Sequence, residues 1–221
     1  MIDGTLELQS FFERGFAVSK IRKEFADELL EVANGESYRE MPEDATLPLC
    51  ASWENWDRGL PRYNDVPVVY RDFADALARQ PYFEWYQTVF GAFSHKNIML
   101  QLCKKGNGLG YHFDVFDATH MINILYLSPD DFSDRDGGLL EAARCRVLPD
   151  GRDIDRGARI ERLGSVVPVH GTLVTVNNLV PTFCHRVTPV RTDKRRISLI
   201  MQFGYTENAT TCGAEQKYGR W

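Results

Sequence analysis

The sequence predicts a mainly β fold, a double-sheet jelly roll or barrel, with helices in its N-terminal part. The chain changes character near residue 95, where helical patterns give way to short strand-like runs. Eight such runs follow, and glycine, proline and aspartate separate them. Short strands with turn signals between them favour two packed sheets over a parallel α/β sheet.

The composition indicates one globular domain that spans residues 1–221. The 221 residues include 26 basic and 31 acidic side chains, which gives a net charge of −5, and 43% are hydrophobic. The acidic excess argues against nucleic acid as a partner, and no apolar run reaches the ~18 residues of a membrane helix. The chain begins without a secretory signal pattern, and its five cysteines are scattered and odd in number. We therefore expect a cytoplasmic protein with no membrane partner.

Two helical patterns precede residue 95. In the first, hydrophobic residues recur at helical spacing from Phe16 to Val32, and Asn34-Gly35 ends the run. The second extends from about Val69 to Phe93, and Pro81 is expected to break it. Residues 1–96 are therefore interpreted as a helical support on the outer face of one sheet, together with a lid.

The lid is predicted between the two helical patterns, at residues 36–67. This stretch contains four prolines and several aromatic residues. Structureless loops of this length are usually functional lids or disordered segments. We expect it to cover the barrel mouth, where it would offer four side chains to a substrate: Trp53, Trp56, Arg58 and Tyr63.

Residues 97–205 are predicted to form the jelly-roll core, and residues 206–221 a polar surface tail. Hydrophobic runs between turn signals define the strands of this core. The expected strands are Asn97–Cys103, Tyr111–Asp114, Met121–Leu127, Leu139–Arg144, Ser165–Val169, Thr172–Asn177, Thr182–Val187 and Arg195–Tyr205.

His112 and Asp114 are the first residues of this core that could bind a metal. Side chains two apart on a strand point to the same face, so these two would offer a nitrogen and an oxygen to one point. His185 follows 73 residues later on another predicted strand. Two histidines and one carboxylate form a facial triad, which leaves open positions on iron(II). An isolated H-x-D pair also occurs often by chance, so unrelated strand histidines remain the alternative.

A cation and a hydroxyl group are expected side by side on the last strand. If Arg196 begins that strand, Arg196 and Ser198 share a face, and together they suit a carboxylate ligand. Alternation then places Arg195, Ile197 and Leu199 on the opposite face, which would pack under the N-terminal helices. The competing interpretation is a solvated polar face with Arg196 at the surface.

The order of these motifs resembles the 2-oxoglutarate/iron(II)-dependent oxygenases, and most closely their prolyl-4-hydroxylase-like branch. The resemblance covers about residues 97–205, and it implies a cupin-like double-stranded β-helix. In chain order the motifs are a Gly-rich turn at Gly106–Gly110, H-x-D, Asp136-Gly-Gly-Leu139, a Gly-Thr-Leu-Val-Thr strand, H-x-V-x-P-V and R-x-S.

The resemblance assigns roles to individual residues. It implies that His112, Asp114 and His185 bind Fe(II), and that Arg196 pairs with the distal carboxylate of 2-oxoglutarate, with Ser198 beside it. Tyr126 matches a tyrosine that contacts the same carboxylate in some relatives. O₂ would be the second co-substrate, and ascorbate could serve as reductant. The sequence departs from many relatives at Lys104, where they have an aromatic residue.

The implied activity is hydroxylation of an unactivated C–H bond, with release of succinate and CO₂. The substrate would be an amino acid, a peptide or an amino-acid-derived small molecule, and Asp117 and Glu141 are further candidates to contact it. One alternative is an iron oxygenase that does not use 2-oxoglutarate, in which Arg196 and Ser198 hold the substrate. The other is a non-catalytic jelly-roll module that binds a metal. The sequence leaves the oligomeric state open.

Overall fold

A computed structural model describes residues 2–3, 8–36, 38–40, 50–52, 66–80, 83, 88, 93–113, 119–149, 154–180 and 182–205. Its α-helices are α1 (Leu8–Glu13), α2 (Lys23–Gly35) and α3 (Val68–Ala78). Its strands are β1 (Ile2–Asp3), β2 (Phe16–Ile21), β3 (Tyr38–Glu40), β4 (Cys50–Ser52), β5 (Phe93–Cys103), β6 (Leu109–His112), β7 (Thr119–Tyr126), β8 (Leu140–Arg144), β9 (Glu161–Val166), β10 (Thr172–Asn177), β11 (Phe183–Val187) and β12 (Arg196–Tyr205).

The strands form two antiparallel sheets. The major sheet has the order β1-β2-β10-β7-β12-β5-β4-β3, and the minor sheet has the order β6-β11-β8-β9. Neighbours in the middle of the sheets, β2-β10-β7-β12-β5 and β6-β11-β8, do not follow each other in the chain, as the long connections of a jelly roll require. The predicted mainly β fold with two packed sheets is confirmed, and each of the eight strand-like runs overlaps a strand. The overlap is short at Ser165–Val169, because β9 ends at Val166.

One face of the major sheet packs against the helices. Alternate residues of its central strands turn to this face, where Leu100, Leu125 and Leu199 are fully buried. The helices contribute Leu29 from α2 and Leu77 from α3 to the same core. We call this cluster the helix-side core. It confirms that the N-terminal helices lie on the outer face of one sheet.

The opposite face of the major sheet turns towards the minor sheet. A second hydrophobic cluster, the inner core, occupies this side. Because Ile197 and Leu199 belong to the helix-side core, alternation along β12 turns Arg196, Ser198 and Ile200 to the inner side. The inner core consists of Phe16, Ile122, Ile124, Tyr126, Leu140, Ala142, Val174 and Val176, with Val166 and Ile200 packed against it.

The first predicted helix is wrong over its N-terminal third. Residues Phe16–Ile21 form β2 and not the beginning of a helix, and α2 begins at Lys23. β2 pairs with β10 from Phe16 to Lys20, with Val18 opposite Val174. The hydrophobic residues of this segment fit both a helical and an alternating pattern, and pairing with a buried neighbouring strand decides between them. The predicted end of the helix at Gly35 is confirmed.

The region between the helical patterns also contains strands that the sequence did not indicate. β3 and β4 pair with each other, and β4 extends the major sheet beside β5. β5 begins at Phe93, the last residue of the predicted second helix, whereas α3 ends at Ala78. Residues 41–49, 53–65 and 206–221 lie outside the described residues, and so does Pro81. Within the described ranges, no helix combines the length and apolar character that a membrane crossing needs.

Candidate active site

Two histidines face each other across neighbouring strands of the minor sheet. His185 on β11 lies directly opposite His112 on β6, and their ring centroids are 4.3 Å apart. His185 also lies opposite Ala142, which belongs to the inner core. The pair of rings is therefore directed to the space between the two sheets. His185 is 6% exposed and His112 is partly buried.

The backbone orients one ring of this pair. The Nδ1 of His112 lies 2.8 Å from the carbonyl oxygen of Gly110, two residues back on the same strand. When Nδ1 carries the proton and donates it to this carbonyl, Nε2 keeps its lone pair for a ligand. Metal-binding histidines use a second hydrogen bond of this kind to fix the tautomer and the ring plane.

The third predicted metal ligand, Asp114, lies outside the described residues. Among the residues that are described, no group of three or more metal-binding side chains occurs. The part of the site that the structure describes is the histidine pair, and its donor set fits a metal of the first transition row. Two nitrogen ligands with a carboxylate two residues after His112 would complete a facial triad.

Arg196 lies on the inner side of the major sheet and is 1% exposed. Its Nε donates to the carbonyl oxygen of Gly138 at 2.7 Å, and one Nη donates to Ser198 Oγ at 2.9 Å. The other Nη lies 3.4 Å from the hydroxyl of Tyr126. No described carboxylate lies within ion-pair distance of the guanidinium. A buried cation without a counter-charge is costly, so this arrangement favours an anionic ligand.

Tyr126 is a third buried polar side chain on the inner side, beside Arg196 and Ser198. Its phenol is fully buried, and the Arg196 guanidinium stands over its ring at 5.0 Å from the centroid. Burial raises the pKa of the Tyr126 hydroxyl, and the Arg196 charge opposes only part of this rise. The hydroxyl therefore stays protonated at neutral pH and can donate a hydrogen bond.

A glycine allows Arg196 to adopt this position. Gly138 has φ +64°, and a Cβ at this residue would lie 2.8 Å from the Cδ of Arg196. The same glycine supplies the carbonyl that accepts from Arg196 Nε. The Asp136-Gly-Gly-Leu139 motif therefore holds the arginine through both its backbone conformation and its missing side chain.

Glu141, which is predicted as a substrate contact, does not face the histidine pair. It lies opposite Arg186, and both point away from the inner side because their neighbours Ala142 and His185 point towards it. The Glu141 carboxylate accepts hydrogen bonds from Arg186 at 2.6 Å and from the Tyr111 hydroxyl at 3.3 Å. Arg162 lies 3.2 Å away on β9. The Glu141 side chain thus links β8 to β6, β9 and β11 on the face of the minor sheet that points away from the histidines.

We predict that Glu141→Gln lowers the free energy of unfolding by about 1–3 kcal/mol, because two arginines lose the charge of a buried acceptor. Chemical denaturation measures the change. Glu161→Gln is a matched control, because Glu161 pairs with Arg144 at 3.3 Å and both side chains are about half exposed (57% and 48%). That pair should contribute at most about 1 kcal/mol. Equal losses in the two variants would contradict the buried-network interpretation.

The remaining predicted substrate residues lie outside the described residues: Trp53, Trp56, Arg58, Tyr63 and Asp117. Lys104, where the sequence departs from the family pattern, is exposed, and its backbone N–H donates to Asn107 Oδ1. Sequence reasoning gave no site role to Gln101 or Cys103, two buried side chains of β5 that lie opposite Ser198 and Arg196. The available signal was their alternation with Leu100 and Leu102 in a strand whose other face is apolar.

Comparison with known proteins shows the same fold in solved structures. No protein-family model and no curated protein matches the chain. A prolyl-4-hydroxylase from Pseudomonas putida is 19% identical with a TM-score of 0.59, and the match covers 90% of this chain and 96% of the other. A 2OG-Fe(II) family oxidoreductase from Burkholderia pseudomallei is 15% identical with a TM-score of 0.58, covering 92% of each chain. HygX from Streptomyces hygroscopicus, with nickel, 2-oxoglutarate and hygromycin B bound, is 13% identical with a TM-score of 0.62 over 91% and 87%.

The fold of this chain is therefore that of the 2-oxoglutarate/iron(II) oxygenases. The similar structures include a prolyl-4-hydroxylase, which is the branch that the sequence motifs resemble. At identities below 20% the likeness is one of fold, and it extends over about nine-tenths of the chain.

Proposed function

We propose that the protein is a 2-oxoglutarate- and iron(II)-dependent oxygenase that hydroxylates an unactivated C–H bond. The observation that supports this most is the Arg196 guanidinium, which is buried on the inner side without a described carboxylate partner. The histidine pair is directed to the same space between the sheets. A cation at one place and two imidazoles at another suit a ligand with a carboxylate at one end and metal-binding oxygens at the other.

His112, Asp114 and His185 would hold the metal. Bound iron(II), together with 2-oxoglutarate and O₂, would supply an oxidative decarboxylation that gives succinate and CO₂ and places the second oxygen atom in the substrate C–H bond. The chain contributes position: cross-strand pairing fixes the two imidazoles, and the Gly110 carbonyl orients one of them. Hydroxylation rather than halogenation is expected because Asp114 supplies a carboxylate.

Arg196, Ser198 and Tyr126 would bind the distal carboxylate of 2-oxoglutarate. The Ser198 oxygen accepts from Arg196, so its own hydrogen remains available to the ligand. The protonated Tyr126 hydroxyl can donate as well, and all three side chains are excluded from water. Charge-assisted hydrogen bonds in such a site are stronger than neutral ones, which supports a dianionic co-substrate.

A glycine substitution tests how Arg196 is held. We predict that Gly138→Ala weakens 2-oxoglutarate binding at least about tenfold, since a Cβ would displace the arginine and disturb a charged hydrogen bond. Gly106→Ala is the matched control: Gly106 has φ +89°, and no atom lies within 4 Å of its Cβ position. In both variants the alanine has to adopt a positive φ, which costs about 1–2 kcal/mol. Calorimetry should show weakened binding only in Gly138→Ala, and equal affinities would contradict this role for the glycine.

We propose an amino acid, a peptide or an amino-acid-derived small molecule as the substrate. The similar structures include a prolyl-4-hydroxylase and HygX with hygromycin B bound, which supports a peptide or small-molecule substrate. Trp53, Trp56, Arg58, Tyr63 and Asp117 are the candidates to contact it. Ascorbate could keep the metal reduced. We also propose a cytoplasmic location for the protein.

The test is the formation of succinate from 2-oxoglutarate by the full chain with Fe(II) and O₂. A panel of the twenty amino acids and simple peptides is screened for compounds that stimulate succinate release and gain one oxygen atom. Omission of Fe(II) and the Arg196→Met variant are the controls. Absence of 2-oxoglutarate binding and of succinate formation in the metal-loaded protein would overturn the proposal.

A further inference from the structure

Gln101 is a buried amide on the inner side of the major sheet. It lies on β5, whose residues Ile98, Leu100 and Leu102 belong to the helix-side core. Alternation along the strand turns Gln101 and Cys103 to the opposite face. Gln101 is 7% exposed and is surrounded by protein rather than by solvent.

The Gln101 amide lies next to the polar side chains of Arg196, Ser198 and Tyr126 on the inner side. Gln101 on β5 pairs with Ser198 on β12, and Ser198 pairs with Tyr126 on β7. The three residues therefore form one row across the major sheet. Cys103 links this row to the guanidinium. Its Sγ lies 3.9 Å from Gln101 Oε1 and 3.8 Å from an Nη of Arg196.

The thiol is the one hydrogen-bond partner that the described residues give to the Gln101 side chain. A glutamine amide can accept at its oxygen and donate twice from its nitrogen, and no described residue accepts from the Gln101 nitrogen. A reversed amide would leave the oxygen unsatisfied instead, so one end lacks a partner in either orientation. The Gln101 nitrogen is not among the described side-chain atoms that are fully buried without a partner, so it remains open to a ligand or to water that can accept its hydrogen bonds.

We propose that Gln101 is a further co-substrate-binding residue, whose Nε2 donates a hydrogen bond to the distal carboxylate of 2-oxoglutarate. This inference rests on the proposed function. A carboxylate offers about four lone-pair positions, and the remaining donors of Arg196, Ser198 and Tyr126 leave room for another. Gln101 approaches from the β5 side, opposite Tyr126 on β7, so the carboxylate would be held from both sides of β12.

The first test compares two variants that each remove a buried amide from the same sheet. Gln101→Leu should weaken 2-oxoglutarate binding to the Mn(II)-loaded full chain by about 10- to 100-fold, the range expected for a hydrogen bond to a charged group. Asn123→Leu is the matched control. Asn123 is fully buried and its Nδ2 has no hydrogen-bond partner, but it lies on the helix-side face of β7, away from Arg196 and Ser198. Its replacement should leave affinity unchanged, as measured by calorimetry.

A second variant separates binding from folding. Gln101→Glu places a carboxylate beside Arg196, where it can pair with the guanidinium and repel the ligand. We expect a melting temperature equal to or above that of the wild type, with affinity for 2-oxoglutarate reduced more than about 100-fold. Retained affinity in Gln101→Leu, or in Gln101→Glu with the fold intact, overturns the inference. When the Gln101 inference is overturned in this way, the proposed function still stands, provided that the wild type binds 2-oxoglutarate and Arg196→Met does not. Failure of the wild type to bind would instead overturn the proposed function.

Discussion

Replacing Arg196 with methionine should abolish 2-oxoglutarate binding and leave metal binding intact. The methionine keeps the length of the apolar stem, but the buried ligand carboxylate loses its charge partner. Leaving a charge buried and unpaired costs about 2–5 kcal/mol, or roughly 30- to several-thousand-fold in affinity. Calorimetric titration of 2-oxoglutarate into the Mn(II)-loaded variant measures this loss, and a separate Mn(II) titration measures the metal site.

Arg195→Met is the control that the chain itself provides. Arg195 is the preceding residue, but it is exposed and donates to Asn34 Oδ1 at 3.1 Å, at the end of α2. Its guanidinium also stands over the Tyr38 ring, on the helix side of the sheet. Its replacement should change affinity for 2-oxoglutarate very little. If both substitutions weaken binding equally, or if Arg196→Met binds normally, Arg196 does not hold the co-substrate.

The sequence predicted the core strands well because their two faces differ in chemistry. Along β12, the polar residues Arg196 and Ser198 alternate with Ile197 and Leu199, so a one-residue shift would have buried the polar side chains under the helices. The structure has the predicted register, with Ile197 and Leu199 in the helix-side core. Where the alternation is this clear, the face of each residue follows from the sequence alone.

Alternation fails where both faces of a strand are buried. In β8, the residues from Leu140 to Ala143 are all buried, so the pattern does not show which face turns to the histidines. The sequence pattern therefore leaves the face of Glu141 open, and only its pairing with Arg186 places it on the face away from the histidines. β2 illustrates a related ambiguity, since its strand conformation depends on β10, a partner more than 150 residues away in the chain.

Replacing His185 with alanine should reduce metal affinity at least about 100-fold. Removing an outer hydrogen-bond partner of a metal ligand already costs about 10- to 100-fold, and removing the ligand itself should cost no less. His112→Ala should have a similar effect, because the two rings face each other across paired strands. Titration with Mn(II) measures the affinity, and Co(II) spectra report the coordination of the metal that remains bound.

His170→Gln distinguishes loss of a ligand from general damage to a buried histidine. The His170 side chain is 5% exposed, and its Nε2 lies 3.0 Å from Asp27 on α2, on a different element from the histidine pair. This variant should bind Mn(II) as the wild type does, even if its melting temperature falls. A comparable loss of metal affinity in His170→Gln, or normal affinity in His185→Ala, would mean that the cross-strand histidines do not form the metal site. In that case Arg196 would be a buried anion-binding residue without an adjacent metal.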